Sequence, residues 1–417
     1  MKKKIVAAAC LALFGALPAL FSEPVVLTES SAIELALQNS LTLKTSRIEL
    51  ETLRRRSATS WNALLPSLSA GASLSETQDS SWPLSLSLSA RLPLSAATPY
   101  DVRSASLQYR AAAIRLQESE SALRRDVRQS FNALLLGQEK IALLQESIQS
   151  ASLSADLAQR NYAAGLISEV EALSAQMVLE KLTPQLEQAR ADYRTGLLEL
   201  QSLVGLEPGA AVQIEGTLGV PEAQPDADAL VRDRLPSRPD VRAAVLDVDL
   251  RRSQRGLAAA QARAPSASLS YSVNGGSAIG SGDWSSRGSA TLSLSVPLDS
   301  WLPGSAGGVQ VAEAGDEIAK AELALQETRR SAEVEVRSLV LKLQALAASL
   351  GFLQKNEQLT RKVYELRSAE YTAGLTELTA LRQALDDHQQ AGLDLATARQ
   401  QYSNALADLE HATQAAP

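Results

Sequence analysis

Tyr162-Ala-Ala-Gly-Leu166 and Tyr371-Thr-Ala-Gly-Leu375 are one turn written twice, 371 − 162 = 209 positions apart. Each copy lies between two long Gln- and Ala-rich helical patterns, so each reads as the bend of a helical hairpin. A reversal between antiparallel helices often needs a left-handed residue, which Gly165 and Gly374 supply without strain. Tyr162 and Tyr371 are placed to pack against the turn. The expected fold is therefore two copies of one unit, each bending at the same sequence.

The rest of the chain repeats in the same order. A helical pattern from Ser30 to Asn62, with Ser30 or Ser31 as its N-cap, stops before Pro66. The period then becomes two: Ser67–Leu74 and Leu84–Ala90 alternate apolar and small polar residues, which predicts a hairpin. A polar loop through Asp79 and Pro83 joins its strands, and Pro93-Leu94 ends it. Helical periodicity returns near Tyr100 and runs to Tyr162, on the order of 90 Å at 1.5 Å per residue. Val127, Leu134, Ile141, Ile148, Ala155 and Tyr162 fall at strict sevens. The return helix answers with Leu179, Leu182, Leu186, Ala189, Tyr193, Leu200 and Leu203, a coiled-coil seam. Pro184 should bend that helix or sit where a neighbour re-satisfies its backbone.

Gly205 to Asp228, rich in Gly, Pro and Ala, reads as a linker. A helix from Arg238-Pro239-Asp240 to Arg263 follows, and then strands over Ser268–Val273 and Ala290–Val296 with a Gly-rich loop from Asn274 to Gly288. Pro297-Leu298 mirrors Pro93-Leu94. Val336, Leu339, Leu343, Leu346, Leu350 and Leu353 mark the second long helix. Leu378, Leu381, Leu385, Leu395, Tyr402, Leu406 and Leu409 mark its return. The expected organisation is a first repeat over 23–220, with strands about 66–76 and 84–94 and a tip near 162–168. The second repeat covers 221–417, with strands about 267–275 and 289–298 and a tip near 371–377.

The apolar fraction of 45% with 4% aromatics suits long helices of Ala and Leu better than a thick core. Met1-Lys-Lys-Lys-Ile5, an apolar run to Phe21 and Ser22-Glu23-Pro24 describe a secretory signal peptide over 1–22. The only cysteine, Cys10, lies inside it. Lipidation at Cys10 would leave almost no apolar segment upstream, and a mature chain without it has no disulfide or thiolate site. A net charge of −7, with no basic run past the start, argues against nucleic acid. No later stretch reads as a transmembrane helix, so any membrane would be met by strands.

A Leu/Ser alternation also suits a soluble sheet with one wet face. Two features favour a membrane instead. Four strands in two separated pairs cannot close a barrel, which needs about eight or more, so several chains would pool theirs. All four tryptophans flank the hairpins: Trp61 and Trp301 at the helix-joined end, Trp82 and Trp284 at the loop end. Aromatic girdles around an apolar band mark both interfaces of a spanning barrel. Leu84, Leu86, Leu88, Leu92, Leu292, Leu294 and Val296 would then face lipid and the serines water, where a hydroxyl stays hydrated.

This plan resembles the TolC-like outer-membrane efflux channels over essentially the whole mature sequence. The carriers are Ile33-Glu-Leu-Ala-Leu-Gln-Asn-Ser40, Leu65-Pro66-Ser67, Pro93-Leu94, Arg238-Pro-Asp240, Pro297-Leu298 and the two tips. The resemblance implies a mainly α fold with a small β part: a homotrimer with a twelve-strand outer-membrane barrel continuous with a periplasmic helical barrel. It implies passive export of substrates delivered by an inner-membrane pump of the RND or ABC type through a periplasmic adaptor. Contact of Tyr162, Gly165, Leu166, Tyr371, Gly374 and Leu375 with that adaptor is implied by the family alone. Positions that line the periplasmic constriction in such channels match Glu171, Ser174, Ala380 and Gln383. The family's acidic pattern is kept only at Glu171, whose ring would favour cations. Glu171 reads equally well as an ordinary carboxylate near a helix N-terminus.

No catalytic constellation competes with this reading. His388 falls on the seam, which predicts a structural role, and His411 sits near an end expected to fray. Asp386-Asp387 reads as a solvated helix face. Two histidines without a mature cysteine make a metal site improbable, and no phosphate loop, dinucleotide pattern or nucleophile elbow occurs. No cofactor and no enzymatic activity are expected. The alternative from another class is an exported coiled-coil structural or adhesive protein, which has no use for duplicated mid-chain hairpins.

Overall fold

The structure, a computed structural model, describes residues 25–74, 83–219, 225–278 and 284–414. The expected signal peptide, with Cys10, lies outside them, as do Asp79 and Trp82. The described chain opens with β1 (Val25–Leu27), α1 (Glu29–Asn39) and α2 (Leu41–Ala58). Where one helix capped at Ser30 or Ser31 was expected, Thr28 is the cap and the helix is interrupted. The Thr28 hydroxyl accepts from the Ser31 amide, and the Ser31 hydroxyl accepts from the Thr28 amide. Ser40 ends α1 and accepts from the Leu43 amide to start α2. Ser and Thr compete with the helix for backbone groups, and here they win at both positions.

A 3-10 turn over Ser60–Leu64 leads to β2 (Ser67–Leu74) and β3 (Pro83–Ser95). Next come α3 (Thr98–Ala163) and α4 (Glu169–Val204), the latter running unbroken through Pro184. The expected linker then holds structure of its own. Within it β4 (Val212–Ile214) pairs in parallel with β1, Leu27 opposite Ile214, and α5 (Ala227–Arg234) begins. The described residues thus contain six strands rather than four; two are short ones beyond the hairpins. The second copy follows as α6 (Pro239–Arg263), β5 (Ser266–Ala278), β6 (Ser285–Ser295), α7 (Ala306–Thr372) and α8 (Leu378–Thr413). Both β5 and β6 extend into the stretch expected to be loop, because Asn274–Gly276 pair with Ser285–Arg287.

The helical hairpins close along the expected seams. Leu144 and Ala151 of α3 form a buried cluster with Leu182, Leu186 and Ala189 of α4. Val336, Val340, Leu343 and Leu350 of α7 do the same with Leu395, Tyr402 and Leu409 of α8. Near the two short strands the seam widens: Val127, Phe131 and Leu134 pack against Leu27, Ala32, Ala36, Leu43, Leu200 and Ile214. Full burial of each large side chain contributes about 1.5–3 kcal/mol. One stretch of α7 is long and apolar enough to cross a membrane by length and composition, contrary to the expectation that none was. The apolar residues of its seam side pack on α8 instead.

The copies meet through polar side chains on α3 and α8. Asn132 Nδ2 donates to Ser403 Oγ and Asn404 Oδ1, each at 2.9 Å, and Gln129 Nε2 donates to Asp408 Oδ1 at 2.7 Å. Arg128 bridges Glu29 of α1 and Glu410 of α8. His411 is not frayed: its Nδ1 lies 2.9 Å from Ser121 Oγ of α3, and its neighbours Ala412 and Thr413 are buried. Burial, and then the nearby Arg125 charge, hold its pKa below the ordinary imidazole value. His388 is 5% exposed and stacks on Tyr364 of α7, ring centroids 5.7 Å apart, as a seam histidine should. The Arg238-Pro-Asp240 motif also gains a cause. Arg238 grips Asp240 and, at 2.7 Å, Glu335 of α7, while Asp240 accepts the Val241 amide as α6 begins.

Candidate functional site

The two hairpins, expected as isolated pairs, join through β3 and β5 into one antiparallel sheet of order β2-β3-β5-β6. Its register sorts the side chains into two faces. Leu68, Ala90, Tyr271 and Ala290 run across all four strands in one row, and Leu92, Leu269 and Leu292 form another. The alternate rows are hydroxyls: Ser69, Ser89, Ser272 and Ser289 lie side by side, with Ser69–Ser89 at 2.7 Å and Ser272–Ser289 at 2.9 Å. A period of two, kept in phase over four strands, makes one face oily and the other wet.

Among the described residues nothing covers the oily face. Leu292 and Leu294 are each 72% exposed, and Leu68, Leu88 and Tyr271 are exposed beside them. Leu84, Leu86 and Leu92 share this face by parity, and Val296 follows just beyond β6, exposed. Trp284 packs over Gly275 on the same face: a Cβ at Gly275 would come within 2.7 Å of the indole. Trp61 and Trp301 stand exposed at the helix-joined end, with the Arg263 guanidinium 5.9 Å from the Trp301 ring. The outer edges of β2 and β6 have no partner strand among the described residues. An apolar sheet of this size with two bare edges needs a partner.

At the far end, the two helical tips have one geometry. Leu166 donates its amide to Asn161 O and Gly165 to Tyr162 O; Leu375 donates to Glu370 O and Gly374 to Tyr371 O. Gly165 and Gly374 sit at φ +73° and +71°. These paired bonds are the Schellman termination, which explains why Gly-Leu recurs with Tyr three residues before the Gly. Leu166 and Leu375 are 74% and 79% exposed. Tyr162 is exposed, and Tyr371 is half-buried, its pKa raised by burial and then by the charge of Glu171 on the other tip.

Beyond the turn the copies part. Ser168 accepts the Glu171 amide, and Glu171 Oε2 accepts the Ser168 amide at 3.1 Å, a complete capping box on α4. The matching α8 starts at Glu377 with no side-chain cap. The Glu171 carboxylate is thus turned back on its own helix. Ser174 bonds the Val170 carbonyl, Gln383 donates to Asp387, and Ala380 is half-buried.

Two features escaped the sequence reading. Arg91 and Arg287 interrupt the serine face. Val334, Leu341, Phe352, Leu359 and Leu366 line α7 as an exposed stripe. Their steps of 7, 11, 7 and 7 each turn the stripe by about 20°, so all five lie within about 40° at 3.6 residues per turn. The 11-residue step hides that regularity from a heptad count.

The chain matches the outer membrane efflux protein family over residues 32–206 and again over 230–414. No curated protein matches it. Several solved structures share its fold. The CmeC outer membrane channel of Campylobacter jejuni superposes with a TM-score of 0.78 at 18% identity, covering 92% of this chain and 85% of that one. VceC of Vibrio cholerae gives 0.76 at 19% identity, covering 92% and 95%. The open state of the MtrE outer membrane channel of Neisseria gonorrhoeae gives 0.75 at 19%, covering 92% and 88%.

Proposed function

The chain belongs to the outer membrane efflux protein family, and from that premise we propose that three copies assemble into a passive duct for an export pump. The observation that carries this reading is the four-stranded sheet, which among the described residues has one bare apolar face and two unpaired edges. Unpaired strand edges have no place in a bilayer, where backbone groups must be satisfied by closure. β2 and β6 run in opposite directions, so β6 of one copy can pair with β2 of the next in the antiparallel sense of the whole sheet. Three copies give twelve strands. β3, at 13 residues, is long enough to span the hydrocarbon at the usual tilt.

The helices support the same ring. Within one copy α3 packs on both α4 and α8, while the corresponding face of α7 carries the exposed stripe. The next copy's α4 fits it by internal symmetry. Leu143 of α3 lies against Gly392 of α8; the 209-residue offset converts that pair into Phe352 against Thr183, beside Pro184.

Cargo would cross a wall of hydroxyls without covalent chemistry, handed over by an RND or ABC pump through a periplasmic adaptor. Leu166 and Leu375, with Tyr162, Gly165, Tyr371 and Gly374, would meet the adaptor. Glu171, Ser174, Ala380 and Gln383 would ring the constriction, and Trp61, Trp82, Trp284 and Trp301 the two interfaces. The repeats 23–220 and 221–417, behind a signal peptide over 1–22, complete this reading. The test is extraction with detergent from outer membranes, sizing, and conductance in planar bilayers. A trimer that conducts supports it; a freely soluble monomer that does not insert overturns it.

A further inference from the structure

The four strands of the membrane sheet contain no Asp or Glu, yet they carry Arg91 in β3 and Arg287 in β6. Both belong to the serine face by register. Arg91 lies in the row of Ser67, Ser270 and Thr291, and Arg287 in the row of Ser87 and Asn274. Both are exposed, and neither makes an ion pair among the described residues. The rows are four residues apart along β3, about 13 Å at 3.3 Å per residue.

An arginine on the lipid face would cost roughly 2–4 kcal/mol near the bilayer midplane. Two guanidinium groups without an ion pair among the described residues are therefore compatible with this sheet only where the serines make it wet. There their neighbours by register are uncharged: Ser and Thr hydroxyls and, beside Arg287, the Asn274 amide. Guanidinium is weakly hydrated and its planar fork matches carboxylate and phosphate oxygens. In a water-filled lumen with a low-dielectric wall, the field of such groups is focused on the water path.

We propose that the barrel segment selects anions: Arg91 and Arg287 of three copies form two cationic rings that favour cargo bearing a carboxylate, sulfonate or phosphate. This rests on the trimeric-barrel reading and adds to it a specificity at the exit. It also opposes the cation preference a Glu171 ring would impose at the other end.

Reversal potentials in a potassium chloride gradient across planar bilayers test it, with the full-length trimer. The wild type should prefer chloride over potassium, on the order of ten-fold at low salt, and the preference should shrink as salt screens the rings. The double variant Arg91→Gln/Arg287→Gln should lose it, and Arg91→Lys/Arg287→Lys should keep it. Each single Gln variant should lose part of it, so the result does not hang on one protein folding. Conductance with potassium preferred, or with the chloride preference unchanged in the Gln double variant, overturns the proposal and leaves the channel reading standing. A wild type that never conducts overturns both.

Discussion

α3 and α7 are copies, with Val127, Leu134 and Ile141 matching Val336, Leu343 and Leu350 at the 209-residue offset, and the matched residues line the seam in each. The opposite faces differ. On α3, Arg125, Asn132 and Leu143 stand where α7 has Val334, Leu341 and Phe352. The α3 set meets α8 of the same chain; the α7 set is bare, Phe352 at 78% exposure. One interface is internal and polar, and the other is unfilled and apolar. A face that folds with its own chain tolerates hydrogen bonds because their partners are always present. A face that must capture a second copy gains more from area removed from water. In the proposed trimer the difference would mark where one subunit ends.

The largest effect should come from breaking the bare face. Leu341→Glu with Phe352→Glu would bury a carboxylate at each site, costing several kcal/mol apiece. The expected result is loss of the trimer by sizing, with helical circular dichroism of the monomer retained. Gln354→Glu, two positions on and off the stripe, should leave the trimer intact. Trimers that persist in the double variant would show that α7 meets solvent rather than a neighbour.

The internal interface should respond differently. Asn132→Leu makes α3 resemble α7 and strands Ser403 and Asn404, costing roughly 1–3 kcal/mol in monomer stability. Urea titration of detergent-solubilised protein reads this out. His411 provides the pH test. Its folded pKa is depressed, so the neutral ring is favoured by folding. Its contribution is present above the ordinary imidazole pKa and is lost as pH falls through the folded value. Melting temperature should decline on acidification through that window, and His411→Gln should flatten the decline. Ser202 stands at the matching position of α4, so this sensitivity should belong to the α3–α8 contact alone.

Local rules explain how much of this could be read from sequence. The Leu/Ser strands, the tips and the seams each repeat within a few residues, and all are present in the structure. Val25–Leu27 and Val212–Ile214 are three-residue strands made only by finding each other across almost 190 positions, so no local pattern announces them. The same holds for the β3–β5 pairing, which merges two hairpins of unrelated sequence position. Asn132 and Gln129 were invisible because polar residues on a helix ordinarily mean solvent. Thr28 displaced Ser30 as cap because β1 pairing fixes where the extended backbone stops. At the tips the Gly-Leu termination was legible. The fate of Glu171 was not, since N-cap bonding and pore lining ask for the same residue.

The smallest effect should separate those tips. Ser168→Ala removes the hydroxyl that accepts the Glu171 amide, costing about 1 kcal/mol at the start of α4. Glu377→Ala removes no such bond at the start of α8 and should change stability by a few tenths. The reverse exchange, Glu377→Ser with Ala380→Glu, would install the missing capping box on α8. Amide hydrogen exchange of the first turns is the measurement: Ser168→Ala should speed exchange in 169–172, and the α8 double variant should slow it in 378–381. Glu171→Gln separates structure from charge, because Gln can also close a capping box. Its exchange should stay close to wild type while the pKa of Tyr371, raised in part by Glu171, falls. Should Tyr371 titrate unchanged, the two tips do not share a field, and the asymmetry between them would be one of helix capping alone.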